Sequence, residues 1–503
     1  MFDAVQEALI VALQPMPMLA VLAGVIIGTI IGALPGLTAT MGMALMAPFT
    51  FFMPAVVGIS FLIGLYKGGT FGGSITAVLI GTPGTASNAA TMLDGYPLAQ
   101  KGQGSRALSA ALWGSVAGDM IGTVALVIGA PLLAAFALRF GHPEFLALTV
   151  FSLTLVCFVS GESLAKGLLA ASIGIVISMV GADPLGGGQR MTFGISELSG
   201  GISVISLAIG LFGLSEVFLQ LGQYRPEVNQ RVKSQTVTII EAIKDVLRYP
   251  RTIIRSALIG VGIGSLPGVG AETANWIAYG LAKRGSKKPE EFGKGSLEGV
   301  IAPEVSANAV CGAAMVPMLI FGIPGDIVTA IMMGALIAQG LNPGPRLIIE
   351  NQEIFYSLFV LSFVAMFFLA FVGFFAIRYA GVILRVSKPI LFAGVTVLCF
   401  AGSYAINSSL FDVGMMVAFG IVGCIMRQLA IPVAPLVLAF ILAPIIENSL
   451  RRTLVQSDGS LSILFERPIA ATLLFITVAL IASLIINARR TSDRVKKEAK
   501  LNA

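Results

Sequence analysis

Long apolar runs, interrupted by short clusters of Gly, Pro and charged residues, set the pattern of the chain. They cover 107–137, 145–160, 201–222, 354–377, 391–401 continuing past 415, and 468–487. A helix needs about 20 apolar residues to cross a bilayer, so the pattern predicts an all-α polytopic membrane protein with about 10–12 membrane segments plus a final C-terminal span. A transmembrane β-barrel is excluded, because its strands alternate polar and apolar positions. Composition agrees: of 503 residues, 56% are apolar and 12% charged, with a mean hydropathy of +0.91. A soluble protein carries about a quarter charged residues.

A set of landmarks recurs in the same order. GALPGLTAT at Gly32 returns as GSLPGVGAE at Gly264, and GTPG at Gly81 returns as GIPG at Gly322. VCFVSGE from Val156 aligns with LCFAGSY from Leu398, bringing Cys157 against Cys399. Gln14-Pro15 falls on Tyr249-Pro250, and Glu216 on Glu447. The expected organisation is a first transmembrane repeat at 1–222 and a basic linker at 223–255, with an amphipathic helix at the start of the second repeat. That second transmembrane repeat occupies 236–454, and a last span with a basic tail occupies 455–503.

Charge bears on orientation. Basic residues gather in the linker (Arg225, Arg231, Lys233, Lys244, Arg248, Arg251, Arg255), in the loop 283–294, at Arg378, Arg385 and Lys388, and in the tail from Arg489 to Lys500. Basic loops favour the cytoplasmic side, so all four groups are expected inside. The counterpart of loop 283–294 is the uncharged Phe49 to Pro54, and the counterpart of Lys101 and Arg106 is the sparsely charged stretch around Arg346. Matching loops of unequal basicity fit inverted repeats, an arrangement that places a carrier's site where the repeats meet. Parallel repeats are the alternative. The net charge of +6 comes in short bursts between apolar segments, which does not suggest nucleic-acid binding.

Chemistry is expected at the breakers. Only about 30 residues separate Ile253 from Ala282, where two crossings need roughly 40, and Leu266-Pro267-Gly268 interrupts them. Val21 to Pro48 repeats this around Leu34-Pro35-Gly36. Both read as re-entrant hairpins, since Pro removes a backbone donor and irregular backbone at membrane depth persists only in protein or beside a wet cavity. Candidate substrate residues are Pro35, Gly36, Thr38, Lys67, Gly81, Thr82, Pro83, Gly84, Thr85, Ser87, Asn88, Pro267, Gly268, Asn308, Pro324 and Gly325. Half-helix N-termini and hydroxyls suit a carboxylate, and an intramembrane lysine points to function. Thr38, Thr40, Glu272, Asn275 and Asp119 are candidates for ion coupling, with a Na⁺ site near Thr38, Thr40 and Glu272. For Asp119, a satisfied structural carboxylate weighs equally with coupling, while Glu216 and Glu447 read as capping or interfacial.

Cys157, Cys311, Cys399 and Cys424 lie in apolar stretches without metal-ligand spacing, and the single histidine, His142, lacks partners for a metal or triad. No catalytic set is therefore expected, and no cofactor beyond Na⁺ or H⁺ as coupling ion. Met1-Phe2-Asp3 lacks the basic start of a cleavable signal peptide.

The chain resembles the large membrane subunit of the tripartite tricarboxylate transporter family, a TctA-like protein. The resemblance is strongest in GALPGLTATMG, in YKGGTFGGSITAVLIGTPGTASNAATMLDGYPLAQKGQ from Tyr66 to Gln103, in GSLPGVGAETA and in FGIPGD. It implies a bacterial inner (cytoplasmic) membrane carrier that works with a small membrane subunit and a periplasmic solute-binding protein. It further implies import of citrate-like tricarboxylates or other organic carboxylates, driven by an ion gradient. No GxxxxGK[ST] motif occurs, which agrees with secondary transport. The halves differ at the second breaker, where Thr82 becomes Ile323 and Ser87-Asn88 becomes Val328-Thr329, so an asymmetric site is expected. An elevator-like movement fits re-entrant hairpins, as does rocking. A stand-alone secondary carrier or channel for another small solute is the alternative function. Membrane lipid is an expected partner of the basic linker, and both a monomer and a homodimer fit the sequence.

Overall fold

The computed structural model describes residues 2–159, 163–183, 186–221 and 238–483. Arg225, Arg231, Lys233, Glu162 and the tail from Arg489 to Lys500 lie outside them. Among the described residues, ten helices are long and apolar enough to cross a membrane. The polytopic all-α architecture is thus the one the apolar runs predict.

The chain starts with α1 (Phe2–Ala12) and α2 (Pro15–Gly32), turns over 33–38, and returns through α3 (Ala39–Met46). Next comes α4 (Ala55–Ile80), which stops at Gly81; extended chain and a 3-10 turn, Ala86–Asn88, lead to α5 (Ala89–Gln100). Three helices follow: α6 (Gly104–Ala137), α7 (His142–Val159) and α8 (Leu164–Ser178). A two-stranded antiparallel ribbon, β1 (Gly181–Ala182) and β2 (Gln189–Arg190), precedes a segment made of α9 (Val204–Ala208), a π-helical turn at Ile209–Leu214, and α10 (Ser215–Leu221). The second half runs α11 (Ile239–Leu247), α12 (Pro250–Gly264), a turn over 265–269, α13 (Gly270–Gly285), α14 (Leu297–Ala313), α15 (Met315–Phe321), a break over 322–326, and α16 (Ile327–Ala338). Then come α17 (Pro345–Glu350), α18 (Gln352–Ile383), α19 (Lys388–Asn407), α20 (Leu410–Gln428) and α21 (Ala434–Gln456). The chain closes with α22 (Ile463–Glu466) and a shorter apolar helix, Pro468–Ser483.

The two breaks share one cause. Gly81 and Gly322 each end a helix in the left-handed region, both with φ of 67°. A left-handed glycine satisfies the last carbonyls of a helix, and a proline just beyond prevents its resumption. Pro83 and Pro324 occupy that place.

Small residues fix the helix directions. Gly24, Gly28 and Gly32 of α2 lie against Phe61, Leu65 and Gly69 of α4, while Gly64, Gly68 and Gly72 face back onto Val21, Val25 and Thr29. Contacts advance together, so α2 and α4 run parallel. A Cβ at Gly28 would sit 2.4 Å from the Leu65 carbonyl oxygen, and such small-residue faces let membrane helices approach closely. In the second half, Gly260 and Gly264 of α12 face Ser306 and Val310 of α14, again in parallel. Between the halves the direction reverses: Thr70 of α4 meets Cys311 of α14, and Ser74 meets Glu304. Each long helix also packs on the other half, α4 on α18 and α14 on α6. A second bundle repeats the exchange, with α8 on α21 and α20 on the π-helical turn.

The basic loops collect at one end. Lys101 Nζ donates to the Lys294 carbonyl at 2.6 Å, and Arg106 pairs with Asp245 of α11 at 2.6 Å. The guanidinium of Arg106 holds the Asp245 carboxyl below the usual carboxylate range. Asp94 of α5 anchors the loop between α13 and α14, accepting from the backbone of Gly293, Gly295 and Ser296 at 2.8–2.9 Å. The uncharged segment around Thr50 lies at the opposite end, where Gln339 donates to its carbonyl at 2.9 Å.

Candidate functional site at the paired helix breaks

The reversed pairing of α4 and α14 places a row of polar side chains between apolar helices. Glu304 is its hub and is fully buried. Its Oε1 accepts from Ser74 at 2.6 Å, Thr91 at 2.6 Å and Asn88 at 3.1 Å, and its Oε2 accepts from Ser115 at 3.0 Å. One carboxylate from the second half therefore ties α4, α5, α6 and the first break together. Its full set of donors meets the condition under which a buried carboxylate is tolerated.

The second break is held reciprocally. Asp326 caps α16, its Oδ1 accepting from the Thr329 N–H and hydroxyl, both at 2.7 Å. Its Oδ2 accepts from the Tyr66 hydroxyl of α4. The second hairpin tip joins this break where Gly268 N–H donates to the Gly325 carbonyl at 2.8 Å.

The halves also meet where Asn275 of α13 donates to the Ser87 carbonyl of the first break. The Oδ1 of Asn275 is buried and accepts no hydrogen bond among the described residues. Ser87 stands just before the start of α5, whose N-terminus lacks a side-chain cap, as does that of α13. By contrast Thr38 caps α3, and Asp326 caps α16. Asn275, in the second turn of α13, thus reaches the uncapped N-terminus of α5, while the start of α13 at Gly270 faces Asp326. Free N–H groups at a helix N-terminus suit an anion.

The remaining candidates spread around this junction. Thr85 shares hydrogen bonds with Ser87, at 2.7 Å, and with Asn88. Thr82 is exposed, while Pro83 and Gly81 are half-buried. Gly84 packs against the backbone of Gly32 and Gly73, and Gly325 against Ala314. Pro267 and Pro324 are buried at the second tip and second break. Asn308 donates to the Glu304 carbonyl at 3.0 Å, leaving its buried Oδ1 without a partner among the described residues. Pro35 and Gly36 form the first tip, where Gly36 faces Gln220 and Phe392.

Lys67 is placed elsewhere on α4. Its ammonium pairs with Asp119 at 2.8 Å and donates to Thr123 at 3.1 Å and to the Ser362 carbonyl at 2.7 Å. The two intramembrane charges predicted separately are one buried ion pair between α4 and α6. Glu272 lies in the first turn of α13, exposed and without a hydrogen bond or ion pair among the described residues. It shares no hydrogen bond with Thr38 or Thr40, whose helix α3 packs on α4 while α13 packs on α14. Glu216 pairs with Arg427, and Glu447 with Arg190 at 2.7 Å.

Glu304, Asp326 and Tyr66 were not among the predicted site residues. Glu304 had a visible signal, as a carboxylate inside an apolar segment. Tyr66 had none, because only the partner across the halves gives its hydroxyl a role.

The sequence profile of the tripartite tricarboxylate transporter TctA family matches residues 18–438. The chain belongs to that family. Among relatives of this TctA-family chain, an Agrobacterium vitis protein described as an uncharacterized 52.8 kDa protein in the TAR-I ttuC' 3' region is 36% identical over 486 residues, 96% of each chain. A second A. vitis protein, described as lying in the TAR-II ttuC' 3' region, is 34% identical over 234 residues, 46% of this chain and 97% of its own. No solved structure matches this family member. The family makes the chain a multi-pass membrane subunit of a transporter.

Proposed function

We propose that this subunit carries citrate-like tricarboxylates or other organic carboxylates into the bacterial cytoplasm, coupled to Na⁺ or H⁺. A periplasmic solute-binding protein delivers the substrate, and a small membrane subunit completes the transporter in the inner membrane. The observation that carries this reading is the Asn275–Ser87 junction, where a side chain from the second turn of α13 reaches the uncapped N-terminus of α5 between the two halves. The N–H groups at the start of α5 bind a carboxylate of the substrate, with the Thr85 and Ser87 hydroxyls beside them.

Coupling follows from charge. Asp326 and Glu272 lie near this junction, and Lys67 is occupied by Asp119. Like charges brought near one another at a partly buried site repel, by roughly 1–4 kcal/mol at contact distance depending on the dielectric. A cation entering with the substrate removes that cost, with Glu272 and the free Oδ1 of Asn275 as its oxygen ligands. The antiparallel course of α4 and α14, with α2 parallel to α4 and α12 parallel to α14, supports inverted repeats with domains at 1–222 and 236–454. The two halves then alternate access to the junction by an elevator-like movement.

The test is uptake of labelled citrate into vesicles holding the complete transporter and binding protein, under separately imposed Na⁺ and H⁺ gradients. Uptake should follow one gradient and vanish without the binding protein, and Glu272→Gln should weaken its dependence on that cation. Uptake of no carboxylate under either gradient would overturn the reading.

A further inference from the structure

The outer face of α12 carries a surface groove of about 480 Å³ lined by Arg251, Ile254, Arg255, Leu258 and Ile259. Its inner face is spent on packing, since Gly260 and Gly264 lie against α14. The groove is outside the paired breaks and has no part in the proposed carboxylate site.

Charge sets these arginines apart from their neighbours. Arg106 and Arg248 both reach Asp245, at 2.6 and 3.1 Å. Arg251 and Arg255 make no ion pair or hydrogen bond among the described residues, and the Arg255 Nε is buried without a partner. A guanidinium at a membrane boundary without an anion pays for its desolvation with nothing in return.

Polarity runs along the groove in one direction. Arg251 lies in the first turn of α12, at the basic end of the molecule, and Arg255 follows one turn later. Leu258 is seven residues beyond Arg251, about 10 Å deeper at 1.5 Å per residue. Ile254 and Leu258 are 57% and 62% exposed. Two cations at the boundary with an aliphatic floor running inward match a phosphate headgroup followed by an acyl chain. The floor consists of aliphatic side chains, which offer a peptide no hydrogen bond.

The geometry points to a binding site for one anionic phospholipid, its phosphate held by Arg251 and Arg255 and a chain lying over Ile254, Leu258 and Ile259. Because α12 is the first arm of the hairpin that carries Pro267, Gly268 and Glu272, the lipid braces that hairpin.

The full chain is reconstituted in vesicles of phosphatidylcholine with and without phosphatidylglycerol, extracted, and examined for retained lipid by native mass spectrometry. The unmodified protein should retain phosphatidylglycerol in preference to phosphatidylcholine. The double substitution Arg251→Gln with Arg255→Gln should lower that retention roughly 30-fold, from the usual worth of two basic residues at an anionic surface. Leu258→Trp, which fills the floor and keeps both charges, should displace the lipid as well, whereas Arg385→Gln at the same end should not. Equal retention by the wild type and both groove variants would overturn the site. So would displacement of the lipid by inorganic phosphate alone, which would make it a free-anion site. Coverage of the groove only when a second membrane polypeptide is added would replace lipid with protein as the occupant.

Discussion

The break at 82–88 and the break at 323–326 both follow a left-handed glycine and contain a proline, yet different chemistry holds them. The first is neutral: its Asn88 amide converges with Thr91 and Ser115 on Glu304 from the other half, while the Thr85 and Ser87 hydroxyls bond within the break. The second carries its own carboxylate, Asp326, and receives the Tyr66 hydroxyl in exchange. Their hairpins differ in surroundings too. Each returning arm rests mainly on its own half, α3 on α4 and α13 on α14. But α3 also meets α16, α19 and the π-helical turn, whereas α13 also meets the first break and α5 and leaves Trp276 49% exposed. At the tips, Gly36 faces Gln220 and Phe392, while Gly268 faces Val156 and Leu438.

Those tip contacts are not equivalent along the second bundle. With Glu216 matched to Glu447, the counterpart of Gln220 is Arg451, 13 residues beyond Leu438. At 1.5 Å per residue that is about 20 Å of helix. Equivalent tips thus meet non-equivalent levels of the helices beside them. In the proposed carrier this inequality marks one end of the alternating movement, and the opposite end brings Gly268 toward the level of Arg451.

The strongest way to break this comparison is to fasten one tip. A Cβ built at Gly268 lies 3.2 Å from the Val156 Cβ, so a small outward shift of one chain reaches the roughly 3.5–4.5 Å that a disulfide spans. With the native cysteines replaced, oxidised Val156→Cys with Gly268→Cys should abolish vesicle uptake, and a reductant should restore it. Full uptake with the cross-link complete would mean that this contact never opens.

The neutral break should be the costlier one to disturb from across the halves. Glu304→Ala removes the acceptor of four hydrogen bonds, roughly 2–3 kcal/mol at about 0.6 kcal/mol for each bond between membrane helices. Thermal unfolding of the purified protein should record that loss. Tyr66→Phe removes one bond to a carboxylate that keeps its Thr329 donors, and should cost about 1 kcal/mol in the same assay. Equal losses would erase the distinction between the two breaks.

A smaller effect concerns the basic end alone. The carboxyl of Asp245 is held below its ordinary value, first by the hydrogen bond from Arg106. Its contribution is therefore present above the unfolded carboxylate value, about 3.9, and is lost as pH falls through the lower folded value. With Arg106 partly exposed, the pair is worth about 1 kcal/mol or less. Protease access to α11 should stay constant from neutral pH to about pH 5 and rise only in stronger acid, and Asp245→Asn should remove the transition. A rise already near neutral pH would assign the docking of α11 to another group.

Much of this was legible in the chain. Apolar run length located the spans, and the Leu-Pro-Gly and Gly-x-Pro-Gly motifs located both tips and both breaks, because glycine and proline act through local backbone geometry. The partners were less accessible. Lys67 and Asp119 are 52 positions apart in sequence, and their pairing depends on how α4 packs against α6. Glu304 was readable as an intramembrane carboxylate, but its four donors come from α4, α6 and the α5 region. Tyr66 and Asp326 are 260 residues apart, and no local pattern marks such a pair.

The central claim is that substrate binds where Asn275 meets the first break. Ala86 is exposed in the 3-10 turn beside Ser87, so an Ala86→Cys variant without native cysteines reports on that junction. Its labelling by a membrane-permeant maleimide should be slowed by citrate, or by the carboxylate the vesicles transport, only when the coupling cation is present. Asn275→Ala should abolish that protection. Labelling unchanged at substrate and cation concentrations that saturate uptake would place the substrate elsewhere and contradict the account.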